Sequence, residues 1–211
     1  MKIEVWSDVI CPWCYIGKRR FEMALANFTQ KDNVQVIWRS FELDPNSPPK
    51  YPDTLEVMLS KKYGISLPKA AEMNAHVTIL AKEIGLEYHL NNAHPGNTFN
   101  AHRLLHFAAS MGQGDKATER IMHAYFSEAL PVGERAALAR LAPEFGITEN
   151  ETLAMLESDA FTKEVRADGA RAASFGITGV PFFVIDEKVG ISGAQPVEVF
   201  SEALHHALEA R

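Results

Sequence analysis

Strand-like sequence occurs only at the two ends of this chain, so any sheet it builds must be made by its termini. Residues 2–6, KIEVW, alternate polar and apolar, the pattern of a half-buried strand. Phe21, Ala24, Leu25 and Phe28 then recur at helical spacing. Residues 34–41, VQVIWRSF, are β-branched or aromatic and alternate again, which predicts a second strand. Strand, helix and strand in this order form a βαβ unit with parallel strands and a right-handed crossover.

The prolines and Asn-Ser of Asp44 to Pro52 break that pattern and mark a boundary. From Thr54 to Phe175 the chain reads as a series of helices separated by glycines and prolines. One starts at a capping box, Thr148-x-x-Glu151. Strand character returns in PFFVI, 181–185, and VGIS, 189–192, at hairpin spacing. A final helix begins near Pro196, with Val197, Phe200, Leu204 and Leu208 along one face. The fold class is therefore α/β: one four-stranded sheet (βαβ…ββα) with a large all-helical insertion. The expected division is 1–45 and 159–211 for the two parts of the sheet domain and 46–158 for the insertion.

Both cysteines of the 211 residues lie in one short stretch, CPWCYIG, where strand one gives way to a helix. At that edge of an open α/β sheet, ligands bind. A helix N-terminus favours thiolate, so Cys11 is the expected reactive thiol and Cys14, one turn deeper, the shielded one. Pro12 suits a first helical turn, having no N–H to lose. A disulfide between residues so close in sequence closes too small a loop to stabilise much. The pair is poor as a staple and suited to exchange. A zinc clip is the alternative, but one CxxC supplies only two ligands; His102 and His106, at i and i+4, could supply nitrogens. A lone CxxC near a βαβ unit reads as a redox motif.

The net charge of −6 argues against a nucleic-acid binder, which would show a basic face. No run approaches the ~18 apolar residues of a membrane span, and Glu4 and Asp8 interrupt the apolar core that a secretory signal needs. The expected setting is cytoplasmic and reducing, without membrane association, where a permanent structural disulfide is not expected.

SDVICPWCYIGKRRFE, NTFNAHRLLHFA and GITGVPFFVIDEKVGISGAQP, taken together, resemble the FrnE-type members of the DsbA-like thioredoxin-fold superfamily, a group related to 2-hydroxychromene-2-carboxylate isomerase and kappa-class glutathione transferase. The resemblance runs over nearly the whole chain and implies a thioredoxin fold interrupted by a helical domain. It implies that Cys11 attacks and Cys14 resolves, with Pro12 and Trp13 between them. It also implies that Val180-Pro181 is a cis-proline loop facing the pair, its backbone free to pair with an extended peptide. Read from the residues alone, Pro181 is a plain strand-initiating proline. The Pro-Trp dipeptide differs from the Pro-His of the periplasmic members and adds no positive charge, which implies a less oxidising pair.

The isomerase and transferase relatives carry serine at the position of Cys11 and use glutathione. Cysteine here favours thiol–disulfide chemistry. The implied partners are a disulfide- or thiol-containing protein or peptide, or glutathione, with no metal or nucleotide cofactor and with the chain a monomer or homodimer. The rival implication is a glutathione-dependent isomerase or transferase acting on a small aromatic or polyketide-like molecule. Gly193, Ala194 and Gln195 precede the last helix, whose N-terminus suits a carboxylate or is an ordinary helix cap. His102 and Arg103 either line the cleft facing Cys11 or are buried and structural. Asp8, three residues before Cys11, either tunes the thiol or closes the loop after strand one, and the loop is the expected role. Trp6 and Trp38 are expected in the core, and His205 and His206 at the surface.

Overall fold

Four strands and nine helices follow one another through residues 1–210, the residues that the computed structural model of the chain describes. Strand β1 (Lys2–Ser7), helix α1 (Pro12–Ala26) and strand β2 (Gln35–Ser40) form the opening unit. Seven helices follow: α2 (Leu55–Tyr63), α3 (Leu67–Glu83), α4 (Phe99–Ser110), α5 (Gly114–Glu128), α6 (Arg135–Leu141), α7 (Glu149–Glu157) and α8 (Thr162–Ser174). The hairpin β3 (Phe182–Ile185) and β4 (Val189–Ser192) and the last helix α9 (Val197–Glu209) complete the chain. The sheet order is β2-β1-β3-β4, with β1 parallel to β2 and antiparallel to β3. This is the thioredoxin fold with a helical insertion.

The expectation of a half-buried first strand fails. β1 lies between two neighbours and is covered on both faces, so its polar residue Glu4 is fully buried. Arg39 and Arg171 both donate to that carboxylate, and Lys2 lies 3.2 Å away. Burial alone would raise its pKa; the hydrogen bonds from Arg171, Arg39 and Lys2 outweigh burial and hold it down at about 2. On one face, Ile3 and Val5 pack with Phe21, Phe183, Phe200 and Leu204. On the other, Trp6 packs with Ala172, Ile177 and Val184, and its indole N–H donates to the Asp168 carbonyl.

Two further expectations are corrected. Trp38 is only part-buried, because β2 is an edge strand; its indole N–H reaches Asp115 across the edge. Leu208 is exposed, and the buried face of α9 ends with Leu204 and Ala207. His205 and His206 are exposed as expected.

The insertion has its own core, which includes Leu104, Ile121, Tyr125, Phe126, Leu138 and Phe145. That core also takes in Cys11, Cys14, Tyr15 and Ile16. The start of α1 is thus buried against the insertion, and its later residues Phe21 and Ala24 against the sheet.

Candidate active site

The loop after β1 delivers the chain to α1 with Cys11 at the N-cap, in extended backbone conformation, and Pro12 as the first helical residue. The Cys11 amide donates to the Asp8 carbonyl at 3.1 Å, and the Cys11 carbonyl accepts from the Cys14 amide at 3.0 Å. Asp8 is buried, and one of its carboxylate oxygens accepts the Leu43 amide at 2.8 Å, so it ties the loop after β1 to the segment after β2. Both thiols are free. Cys11 is less open than a helix start suggests, at 5% exposure, and Cys14 is closed off at 1%. Trp13 between them is exposed. Burial pushes the Cys14 thiol well up, and the neighbouring Cys11 adds to this; the Asp8 backbone and the Ser7 hydroxyl oppose it.

The chain's second arm closes over Cys11. The Val180–Pro181 peptide bond is cis, and the Cys11 thiol points to the Val180 carbonyl at 3.7 Å. Gly17, one turn beyond Cys14, lies directly beneath this loop. A Cβ there would come within 2.9 Å of Pro181 Cγ and 3.5 Å of Ala194. Gly193 follows β4 in the left-handed region, at φ 81°, and donates its amide to the Pro181 carbonyl at 2.8 Å. Arg20 donates to the Ala194 carbonyl at 2.7 Å. Cys11, Val180, Pro181 and Ala194, far apart in sequence, thus meet around the first two turns of α1. Gln195 is the outlier: its side-chain amide turns back to the Ser192 carbonyl.

The insertion supplies the opposite wall. The Tyr88 hydroxyl donates to the Pro12 carbonyl at 2.8 Å. Its ring stacks on Phe126 and Tyr15, with centroids 4.5 and 6.1 Å away. Burial raises the Tyr88 pKa, and negative charge on Cys11, Tyr15 or Cys14 would raise it further, so the phenol stays neutral. Glu119 of α5 accepts from Tyr15, Lys18 and Arg19, fastening α1 to the insertion by polar contacts as well.

His102 and Arg103 separate. Arg103 is buried and donates to the carbonyls of Met155, Leu156, Ser158 and Ala160 and to the Asn100 side chain. Those bonds engage all five of its N–H donors, which favours the buried, structural reading of Arg103 over the cleft-lining one. It anchors α4 to the end of α7 and to the segment that follows. His102 is buried, with Nε2 3.4 Å from Asp8 Oδ1. Among the described residues, no cluster of three or more His, Cys, Asp or Glu side chains could hold a metal ion, so the cysteine pair gains no further ligands from His102 or His106.

Gly17, Arg20 and Tyr88 were missed by sequence reasoning. Gly17 left a signal, a glycine inside an otherwise helical pattern, which calls for a packing reason. Tyr88 left none, since nothing local marks a tyrosine that will reach Pro12 from across the fold.

The family model of the DSBA-like thioredoxin domain matches residues 2–205. An uncharacterised protein of Bacillus subtilis, YwbO, is 31% identical over 205 residues, covering 96% of this chain and 94% of that one. The crystal structure of a probable DsbA oxidoreductase from Streptomyces coelicolor is 42% identical and superposes with a TM-score of 0.96, covering 100% of this chain and 91% of that one. The cytosolic disulfide reductase DsbM from Pseudomonas aeruginosa, solved with GSH, shares the fold at 16% identity and a TM-score of 0.68, covering 99% and 100%.

Proposed function

The chain belongs to the DSBA-like thioredoxin domain family, and on that premise we propose that Cys11 and Cys14 form its redox pair. No helix among the described residues is long and apolar enough to cross a membrane. The observation that carries the reading is the asymmetry of the two thiols: Cys11 at the helix start facing the Val180 carbonyl, and Cys14 sealed behind it. Cys11, as thiolate, attacks a substrate disulfide and forms a mixed disulfide. Cys14 then attacks Cys11 Sγ and releases the second substrate thiol. Run backwards, the same steps oxidise a substrate dithiol. No metal or nucleotide enters the cycle.

Val180, Pro181, Gly193 and Ala194 form the floor on which a peptide or glutathione disulfide would lie beside Cys11. The N-terminus of α9, which follows Gln195, suits the carboxylate of glutathione. Exposed Trp13 presents an aromatic face to the substrate. The substrate is a disulfide- or thiol-bearing protein, peptide or glutathione, met in the cytoplasm. The same reading divides the chain into a thioredoxin domain, 1–45 and 159–211, and a helical domain, 46–158.

The test is trapping. Cys14→Ser should accumulate mixed disulfides with peptide or glutathione disulfides, and Cys11→Ser none. If both variants reduce a model disulfide at the wild-type rate, the pair is not the redox centre.

A further inference from the structure

A second opening is lined by Ser7 and Val9, which precede Cys11, and by neither cysteine nor Val180 or Pro181. It is a cleft of about 370 Å3 between the free edge of β2 and helices α4 and α5. Ser7, Val9 and His102 line it, and Trp38, His106 and Ala109 line it further along. Ser7 and His102 of its lining, and Asp8 beside His102, are buried, and each has a polar atom without a hydrogen-bond partner. The Ser7 hydroxyl, both ring nitrogens of His102 and Asp8 Oδ1 have no hydrogen-bond partner. Ser7 is 6% exposed, His102 1% and Asp8 0%. Buried polar atoms are normally satisfied, and the cleft that Ser7 and His102 line is large enough to hold water.

The position of the cluster gives it a use. Ser7 and Asp8 lead directly into the cysteine loop, the Asp8 carbonyl accepting the Cys11 amide at 3.1 Å, and the Ser7 hydroxyl favours a Cys14 thiolate. His102 is the only ionisable base among the three unbonded groups that is not already a carboxylate tied into the loop, since Asp8 also holds the Leu43 amide. Arg103, next in sequence, fixes α4 through its five hydrogen bonds and so holds the ring in place.

We propose that this cleft is the proton port of the resolving step and that His102, beside Asp8, accepts the proton that Cys14 gives up. The inference rests on the redox-pair reading above. In the mixed disulfide, Cys14 is a thiol sealed from the substrate side. Its proton passes by way of the Ser7 hydroxyl and cleft water to His102, and the imidazolium is stabilised by Asp8, 3.4 Å away. The Cys14 thiolate attacks Cys11 Sγ. A Cys11–Cys14 bond forms, the bond from Cys11 to the substrate sulfur breaks, and the electron pair leaves on that sulfur, which takes a proton from solvent. The protein dithiol is oxidised and the substrate disulfide reduced. His102 returns its proton to the cleft.

Other charged or titratable groups surround this pair. Asp8 also faces Tyr125 of α5, whose ionisation is opposed by burial and by the Asp8 charge. His106, one turn along α4, bonds the Asp168 carboxylate of α8 and the Ser40 hydroxyl, and Arg39 and Asp115 line the outer cleft.

A symmetric nitrobenzoate disulfide with a coloured thiolate separates the two steps. Mixed with reduced protein in a stopped-flow instrument, it releases one thiolate when Cys11 attacks and a second when Cys14 resolves. His102→Gln should leave the first phase within about twofold and slow the second on the order of a hundredfold at neutral pH. The deficit should shrink as hydroxide rises, and added imidazole should restore the second phase in His102→Ala. Should these variants fold poorly, Ala109→Phe, two turns along the same face, narrows the cleft and should also slow only the second phase. An unchanged second phase, or equal slowing of both, overturns the proposal. Absence of both phases in the wild-type protein sinks the redox-pair reading instead.

Discussion

The sheet and the insertion bury their side chains in separate cores, and α1 enters both. Its end nearer the sheet core contributes Phe21 and Ala24 to a cluster with Phe183, Phe200 and Leu204. Its start contributes Cys14, Tyr15 and Ile16 to a cluster with Phe126, Tyr88 and Leu104. The sheet core holds α1 up, and the insertion core surrounds the thiols. Damage to the first should cost stability alone, whereas damage to the second near α1 should also change the chemistry. A matched pair of truncations is the strongest way to break this contrast. Phe183→Ala and Phe126→Ala each remove a fully buried ring and should each cost about 3–5 kcal/mol in denaturant unfolding. Only Phe126→Ala should alter the rate of disulfide exchange, because it unstacks Tyr88, which holds Pro12. Phe183→Leu and Phe126→Leu carry the same contrast at smaller cost if the alanine chains do not fold. Equal slowing by both would show that α1 transmits sheet damage to the thiols.

The sheet side also contains a strongly perturbed carboxylate, which sharpens the contrast through pH. The pKa of Glu4 is held at about 2 in the folded protein, against 4.5 for a free side chain. A depressed carboxylate contributes stability that is present above its unfolded pKa and is lost as pH falls through the folded one. The contribution of Glu4, about 3 kcal/mol, should therefore fade between about pH 4.5 and pH 2. Glu4→Gln removes that acid limb and leaves Arg39 and Arg171 without their shared anion, at a cost of about 3–5 kcal/mol at neutral pH. Unfolding curves of wild type and variant across this range should converge in acid. Parallel curves would mean that Glu4 does not set the acid limb.

Those two contrasts also separate what was legible in the sequence from what was not. Periodicity placed the βαβ unit, the late hairpin and the helical stretch between them, because each follows from local patterning. The CPWC stretch placed both thiols. Burial was misjudged where it depends on neighbours. KIEVW alternates like a half-covered strand, but β1 is central, so Glu4 is buried and requires two arginines from β2 and α8. Trp38 was expected in the core, but β2 is an edge. The cleft was the least legible feature, since Ser7, Asp8 and His102 come together only once α4 has docked against the loop after β1. The sequence leaves Arg103 between a cleft-lining and a structural role, and only the fold shows its five acceptors.

Gly17 tests whether the thiols depend on close approach of the Val180–Pro181 loop. In Gly17→Ala a new Cβ meets Pro181 Cγ at 2.9 Å, and the backbone of Ala194 behind it limits retreat. Overpacking of this kind costs about 1–3 kcal/mol, and replacing glycine within a helix returns about 1 kcal/mol. The net loss of stability should be at most about 2 kcal/mol, while attack by Cys11 slows because α1 is pushed away from Val180. A stable variant with unchanged exchange would show that the contact between α1 and the loop is not needed for chemistry.

The smallest effect falls in the insertion, far from its contact with α1, and it decides how much of that core matters to the thiols. Thr148 starts α7 with a full capping box: its hydroxyl accepts the Glu151 amide at 3.2 Å, and Glu151 Oε2 accepts the Thr148 amide at 3.0 Å. Hydrogen bonds from the Thr148 hydroxyl and backbone hold the Glu151 carboxyl below its usual range. Thr148→Ala removes the hydroxyl and should cost about 1 kcal/mol, read as a small downward shift of the denaturant midpoint with an unchanged slope. Met155 and Leu156 of α7 share the insertion's core with the Tyr15, Tyr88 and Phe126 stack, and their carbonyls hold Arg103 and so α4. If only the aromatic stack couples the insertion to the thiols, both phases of exchange should keep their wild-type rates. Selective slowing of the second phase would trace a route from α7 through Arg103 to His102, and would make the anchoring of α4, rather than the stack, the insertion's main hold on the redox pair.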